Sequence, residues 1–287
     1  MNDSTENVFS TLQNTVTFEN IQIVNNPERV SESSKISNNE EINSIDDGSI
    51  YSYIASNPPI KWPGFIDMFG DEIKHASDII ESRKKLNIRD DFRILPNRED
   101  IFRIFNEIEP EKIKVCIFAQ DPYHHLIPAT DIPIANGIAF SVSDDCPIPQ
   151  TLRNIFAEIK SNYPDSIFFN GNLKQWIRQG VFLINMSLTV EMGLPGSHEE
   201  IWIPLLKKVV DHISKLNQKT IFALWGKPAK AIGKEIIVNQ KNTITAGHPS
   251  GANRKNDFLG CGHFNEINRL LVLQSNYPID WSVYQSI

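Results

Sequence analysis

A carboxylate, a phenol and two imidazoles stand within five residues at Asp121-Pro122-Tyr123-His124-His125, directly after the apolar run Val115–Ala119. A carboxylate can steady a developing cation or take a proton, an imidazole can exchange a proton near neutral pH, and Pro122 restricts the turn that presents them. Another imidazole is followed by a proline in Gly247-His248-Pro249-Ser250-Gly251. Asn185 lies inside the apolar run Val181–Leu188, where a buried amide needs partners for two donors and an acceptor. It is either a structural bridge or a reader of a planar hydrogen-bonding ligand. A further apolar run, Thr220–Trp225, ends in Trp225-Gly226-Lys227.

These groups need elements to bring them together. The runs at Val115–Ala119, Val181–Leu188, Thr220–Trp225 and, more weakly, Asn242–Ala246 read as strands buried on both faces. Between them, Arg98–Ile108 puts Ile101, Phe102, Ile104, Phe105 and Ile108 on one helical face, and Thr151–Asn162 does the same with Leu152, Ile155, Phe156 and Ile159. A longer helix is predicted over 199–215, with Ser197 as its N-cap. Strands separated by helices imply parallel βαβ units. The predicted fold is therefore α/β, a three-layer α/β/α sandwich with a central, mainly parallel four-stranded sheet. Ligands bind beyond the carboxyl ends of the strands in such sheets, where Asp121, Asn185, Gly226 and His248 all fall.

The formal charge of the 287-residue chain is −7. Residues 1–50 hold two basic and nine acidic side chains and carry all of that excess, whereas residues 201–287 hold eleven basic to five acidic, which leaves room for a basic face. The Ser-, Asn- and acid-rich N-terminal stretch buries too little apolar surface to offset its ordering entropy, so residues 1–55 are expected to be a disordered acidic tail. Its alternative role is docking, with Val16, Phe18, Ile21 and Val24 held by a protein partner. Cys116, Cys146 and Cys261 form no CxxC pair, and no secretory signal or membrane-spanning apolar run is evident, so a soluble, reduced, intracellular protein is expected.

The histidines lack the i, i+4 spacing of a metalloprotease site. The sequence also has no G-x-S-x-G elbow, Walker loop or dinucleotide fingerprint. What remains is metal-free and cofactor-free chemistry led by a carboxylate and an imidazole, a description that base excision fits.

On these residues the chain resembles the family 1 uracil-DNA glycosylases. Gln120-Asp121-Pro122-Tyr123-His124 looks like that family's water-activating motif and His248-Pro249-Ser250 like its second motif. Gly137-Ile138-Ala139-Phe140-Ser141, Leu183-Ile184-Asn185, Leu224-Trp225-Gly226, Gly260-Cys261-Gly262-His263-Phe264 and Pro278-Ile279-Asp280-Trp281 follow in the family's order. The resemblance implies a catalytic domain over residues 56–287 that flips deoxyuridine out of DNA, releases uracil and leaves an abasic site. It implies that Asp121 stabilises the cationic sugar and orients water, and that a neutral His248 donates to the uracil O2. Phe140 would stack on the base, Asn185 would pair with its edge, Tyr123 would exclude the thymine methyl, and the Gln120 amide would add a contact. His124, Pro147, Pro149, Gly226, Lys227, Ser250, Ala252 and Arg254 would face the DNA. Uracil-containing DNA, single- or double-stranded, is the implied partner, and a monomer is expected, nuclear if the source is a eukaryote or a nuclear-replicating virus and cytoplasmic otherwise.

Four positions depart from the family pattern. Ala119 replaces a glycine, the stretch after His125 is longer, Lys227 replaces a serine, and Ala252 stands where the family has a leucine wedge. The last predicts weaker action on duplex than on single-stranded DNA. A DNA-binding replication accessory with weak or no activity, and a glycosylase for another damaged base, are the competing readings.

Overall fold

The computed structural model describes residues 48–89, 92–237, 242–251 and 257–285. These lie in the compact unit Asp47–Ile287. The earlier tail, including Val16, Phe18, Ile21 and Val24, lies outside the described residues, as do Ala252 and Arg254.

The elements in chain order are α1 (Ile50–Ser56), α2 (Phe65–Leu86), β1 (Ile94–Leu95), α3 (Arg103–Glu107), β2 (Val115–Ala119), α4 (Gln150–Asn162), α5 (Lys174–Arg178), β3 (Val181–Asn185), β4 (Val190–Glu191), α6 (Ile203–Leu216), β5 (Ile221–Trp225), α7 (Lys227–Ile236), β6 (Thr243–Ala246) and α8 (His263–Leu273). The main sheet has the order β3-β2-β5-β6, parallel throughout and flanked by helices, as the sequence predicts. Every residue of β2, β3 and β5 is buried, which explains their unbroken apolar runs. The register pairs Ala119 with Asn185 and Trp225 with Ala246, so the strands finish level with one another. The residues after each terminus therefore meet along one edge. Ala119 is in ordinary extended strand backbone, where a methyl replaces glycine without strain.

Several local expectations change. Residues 48–55 do not belong to a tail: α1 buries Ile50 and Ile54 in the core and is capped by Ser49 Oγ, which accepts from Ser52 N. The helix expected over Arg98–Ile108 is a 3-10 turn at Arg98–Asp100 followed by the short α3. There the Asp100 carbonyl lies where a β-carbon on Gly137 would be, 1.8 Å away, so the chain bends around that glycine. The helix expected from residue 199 starts at Ile203, with Pro204 in its first turn where a missing N–H costs nothing. Ser197 does not cap it, because its Oγ accepts from Glu191 N at 2.8 Å. β3 stops at Asn185 rather than running to Leu188.

The two-stranded antiparallel sheet β1–β4 and the long α2 are not anticipated by the sequence reading. α2 buries Phe65, Phe69, Ile73, Ala76 and Ile80, a stripe that packs beside Trp62 and Phe105 behind the sheet.

Candidate active site

At the carboxyl edge of the sheet the structure encloses a cavity of about 310 Å³. Gln120, Asp121, Tyr123, His124, Phe140, Asn185, His248 and Ser250 all line it. Residues spread over more than 120 positions thus share one concave surface, of a size suited to a small ligand.

β2 delivers Asp121. Its Oδ2 accepts from Gly196 N at 2.8 Å, while Oδ1 is buried with no hydrogen-bond partner among the described residues. Burial raises the carboxyl to about 6, with the Gly196 N–H working in the opposite direction and the nearby Glu199 charge adding to the rise. It is mainly ionised at pH 7. β3 delivers Asn185, 7% exposed, whose Oδ1 is also buried and unpartnered among the described residues. Two buried acceptors left open in one cavity are costly in isolation and suited to a ligand that carries donors.

Tyr123 donates its hydroxyl to the Phe140 carbonyl at 3.1 Å, and burial pushes its ionisation above the ordinary phenol range. Phe140 has φ 64°, a conformation that a bulky residue holds only when its surroundings enforce it. The Tyr123 bond and the Trp225 ring, at 5.4 Å and 45°, supply that enforcement. Trp225 is itself oriented by donating Nε1–H to His263 Nδ1 at 2.9 Å.

β6 delivers His248. Its Nδ1 accepts from Ser250 N at 3.1 Å, and burial lowers its pKa. A neutral imidazole that accepts at Nδ1 carries its proton on Nε2, so the ring is preset as an Nε2–H donor. Gly226 backs the ring: a β-carbon there would lie 3.1 Å from both Cβ and Cδ2 of His248. From α4, Asn154 Nδ2 donates to the Pro249 carbonyl at 2.7 Å and braces the same turn.

Among the described residues, the other expected DNA-facing positions, Pro147, Pro149, Gly226 and Lys227, lie outside the cavity lining. Pro147 and Lys227 are exposed, Pro149 is the residue preceding α4, and Gly226 is buried behind His248. His124 lines the cavity beside His125, ring centroids 4.1 Å apart, and its pKa is lowered first by burial and then by that neighbour. The lengthened loop after it is a small hairpin, with Ile127 N donating to Ile132 O at 2.8 Å and Arg93 Nη1 donating to the Asp131 carbonyl at 3.0 Å. Ala135 at the hairpin's root lines the cavity. Sequence reasoning misses Thr151, Pro195 and above all Gly196. The only local signal for Gly196 is the turn-forming Gly193-Leu194-Pro195-Gly196.

Residues 105–272 match the family model described as the uracil DNA glycosylase superfamily. The chain is 36% identical over 247 residues to a uracil-DNA glycosylase of Alcelaphine herpesvirus 1 (strain C500), an alignment covering 81% of this chain and 91% of that protein. It is 40% identical over 193 residues to one from Blochmanniella floridana, covering 66% of this chain and 84% of that protein. The crystal structure of a mimivirus uracil-DNA glycosylase superposes with a TM-score of 0.65 at 28% identity, covering 82% of this chain and 85% of that one. With its motifs gathered on one cavity and its length aligned to such relatives, the chain belongs to the uracil DNA glycosylase superfamily.

Proposed function

We propose that this protein excises uracil from DNA by hydrolysing the N-glycosidic bond of deoxyuridine, leaving an abasic site. The observation that carries this reading is the pair of buried oxygens, Asp121 Oδ1 and Asn185 Oδ1, unpartnered among the described residues, in one cavity with a histidine preset to donate from Nε2. Asn185 Oδ1 suits the imide N–H of uracil, and the Gln120 amide adds a contact to the base. Phe140 provides the stacking face, and Tyr123, locked by its bond to the Phe140 carbonyl, fills the space a 5-methyl group would need.

As the C1′–N1 bond breaks, its electron pair moves onto the uracil ring and positive charge builds on the sugar. Neutral His248 meets the negative charge at O2 and ionised Asp121 faces the cation. Water then adds its oxygen to C1′ and gives up a proton, which Asp121, held near 6, can receive. Extrusion of the base costs a few kcal/mol, offset by contacts to the flanking backbone. Those contacts are assigned to His124, Ser250, Lys227 with Gly226 beneath it, and the Pro147–Pro149 turn. Ala252 and Arg254 join them from the sequence alone. The protein acts in this reading as a monomer, with its N-terminal segment available to a protein partner, in the nucleus of a eukaryote or a cell infected by a nuclear-replicating virus and otherwise in the cytoplasm. Among the described residues no helix is long and apolar enough to cross a membrane.

Uracil release from a labelled oligonucleotide tests this. Wild type should release uracil, with Asp121→Asn and His248→Leu each slower by roughly a hundredfold or more, as for loss of one preorganised transition-state contact. Tight DNA binding without release by the wild type would favour the accessory reading instead.

A further inference from the structure

Gly196 N is the one hydrogen-bond donor that the described residues give the Asp121 carboxylate, so whatever holds Gly196 also holds the reacting group. Gly196 belongs to a tight turn following β4. Leu194 N donates to Glu191 O at 3.0 Å, Ser197 N to Leu194 O at 3.3 Å, and Gly193 N to the His124 carbonyl at 2.9 Å. The far side of the turn is tied down by side chains. Ser197 Oγ accepts from Glu191 N at 2.8 Å, Arg83 of α2 donates to the Ser197 carbonyl, and the next residue, His198, is fully buried.

His198 Nδ1 lies 2.9 Å from Thr189 Oγ1, which also accepts the Trp202 indole N–H at 2.8 Å. An indole nitrogen only donates, so the Thr189 hydroxyl oxygen accepts from Trp202 and links that ring to the imidazole through Nδ1. Burial lowers His198 to about 4, so it is neutral. Its Nε2 is 3.8 Å from Glu191 Oε1 and has no hydrogen-bond partner among the described residues. A buried imidazole with an unmatched ring nitrogen is a poor way to fill a core. What it supplies is register, because it roots the turn at one fixed depth.

We propose that the Thr189–His198 hydrogen bond and the Ser197–Glu191 contact aim the Gly196 N–H at Asp121, making Thr189, Ser197 and His198 positioning residues for the hydrolytic step. The proposal deepens the assignment of Asp121 to uracil excision and rests on it for its kinetic readout. Loss of the turn's register removes a donor that favours the ionised carboxylate. The other ionisable groups around Asp121 are Glu199 on the same turn and Tyr123, His124 and His248 across the cavity. Arg83, Arg89 and Glu191 stand behind the turn. Burial keeps the two cavity histidines neutral and the phenol protonated at neutral pH, and the carboxyl-carbon titration of Asp121 separates its share of the acid limb from theirs.

The test uses the full chain as wild type, Thr189→Val, Thr189→Ser and Ser197→Ala, each first shown to be folded by its melting curve. Two quantities are followed against pH: kcat and KM for uracil release, and the Asp121 carboxyl-carbon NMR titration, assigned with Asp121→Asn. Thr189→Val and Ser197→Ala should raise the Asp121 titration and the acid limb by about one pH unit, and lower plateau kcat roughly tenfold with KM little changed. Thr189→Ser, which restores the hydroxyl, should track wild type. Profiles of both disruptive variants that superimpose on wild type overturn the proposal, and Ser197→Ala alone decides if Thr189→Val does not fold. The NMR titration reads the proposal even without turnover. A wild type that releases no uracil, with the titration shifted in the variants, overturns the catalytic assignment and keeps the positioning role.

Discussion

Replacing Gly226 by alanine sets backbone strain against site geometry in a way that can be calculated. Gly226 has φ 94° and ψ 168°, a region that only glycine occupies readily, so alanine there costs about 1–3 kcal/mol. In a domain of this size that lowers Tm by roughly 2 to 10 °C. The added carbon would sit 3.1 Å from both Cβ and Cδ2 of His248, inside ordinary van der Waals separation, so the ring must retreat by a few tenths of an ångström. Its Nδ1 bond from Ser250 N, already 3.1 Å, limits that retreat to a tilt that turns Nε2 off line. A displacement of about 1 Å near a reacting centre costs on the order of a hundredfold, so this smaller shift should lower kcat about tenfold with KM nearly unchanged. Gly260→Ala is the control. Gly260 also has a positive φ, 83°, but a β-carbon there meets nothing within 4 Å. It should lose stability similarly and keep wild-type kcat. Single-turnover uracil release with melting curves on the three proteins decides the matter. A folded Gly226→Ala protein with wild-type kcat, or an equal kcat loss in Gly260→Ala, would refute the idea that Gly226 places His248.

Asp121→Asn should melt above wild type at pH 7, with the gap closing as pH falls from 6 to 4 in a pH series of melting curves. The folded-state pKa of about 6 lies above the ordinary 3.8, so the folded protein binds the extra proton in that window and loses stability as the carboxyl ionises. Tyr123→Ala should admit thymine, measured as thymine release from unmodified DNA, because the rigid ring held by the Phe140 carbonyl no longer fills the pocket. Asn185→Asp should admit cytosine, scored by cytosine release, since a protonated or ionised carboxyl no longer imposes the donor–acceptor order of an amide. Ala252 has only a methyl to place in the gap left by a flipped nucleotide, so kcat/KM on single-stranded uracil DNA should exceed that on duplex. Equal efficiencies would count against a missing wedge.

The chemistry-bearing positions could be read directly from the chain because each follows an apolar run at a strand end. Val115–Ala119 leads into Asp121 and Tyr123, Val181–Ile184 into Asn185, and Thr243–Ala246 into His248. Strands buried on both faces must be continuously apolar, and a parallel sheet must present their ends together, so local pattern and topology agree. α1 and the late start of α6 were less visible. The first is a short helix held by the burial of Ile50 and Ile54, and the second depends on where the turn at Ser197 closes.

Residue types, strand ends and the gathering of Asp121, Tyr123, Asn185 and His248 on one edge thus follow from one-dimensional pattern, because apolar runs and proline turns act over a few residues, whereas Gln120, Phe140 and Ser250 were expected only from the family resemblance. Contacts between distant segments do not. The Gly196 amide reaches Asp121 across 75 residues, Asn154 reaches Pro249 across 95, and Trp225 reaches His263 across 38. No local propensity encodes such pairs. They form when packing has set each backbone at one depth, and they decide which oxygen of Asp121 stays open.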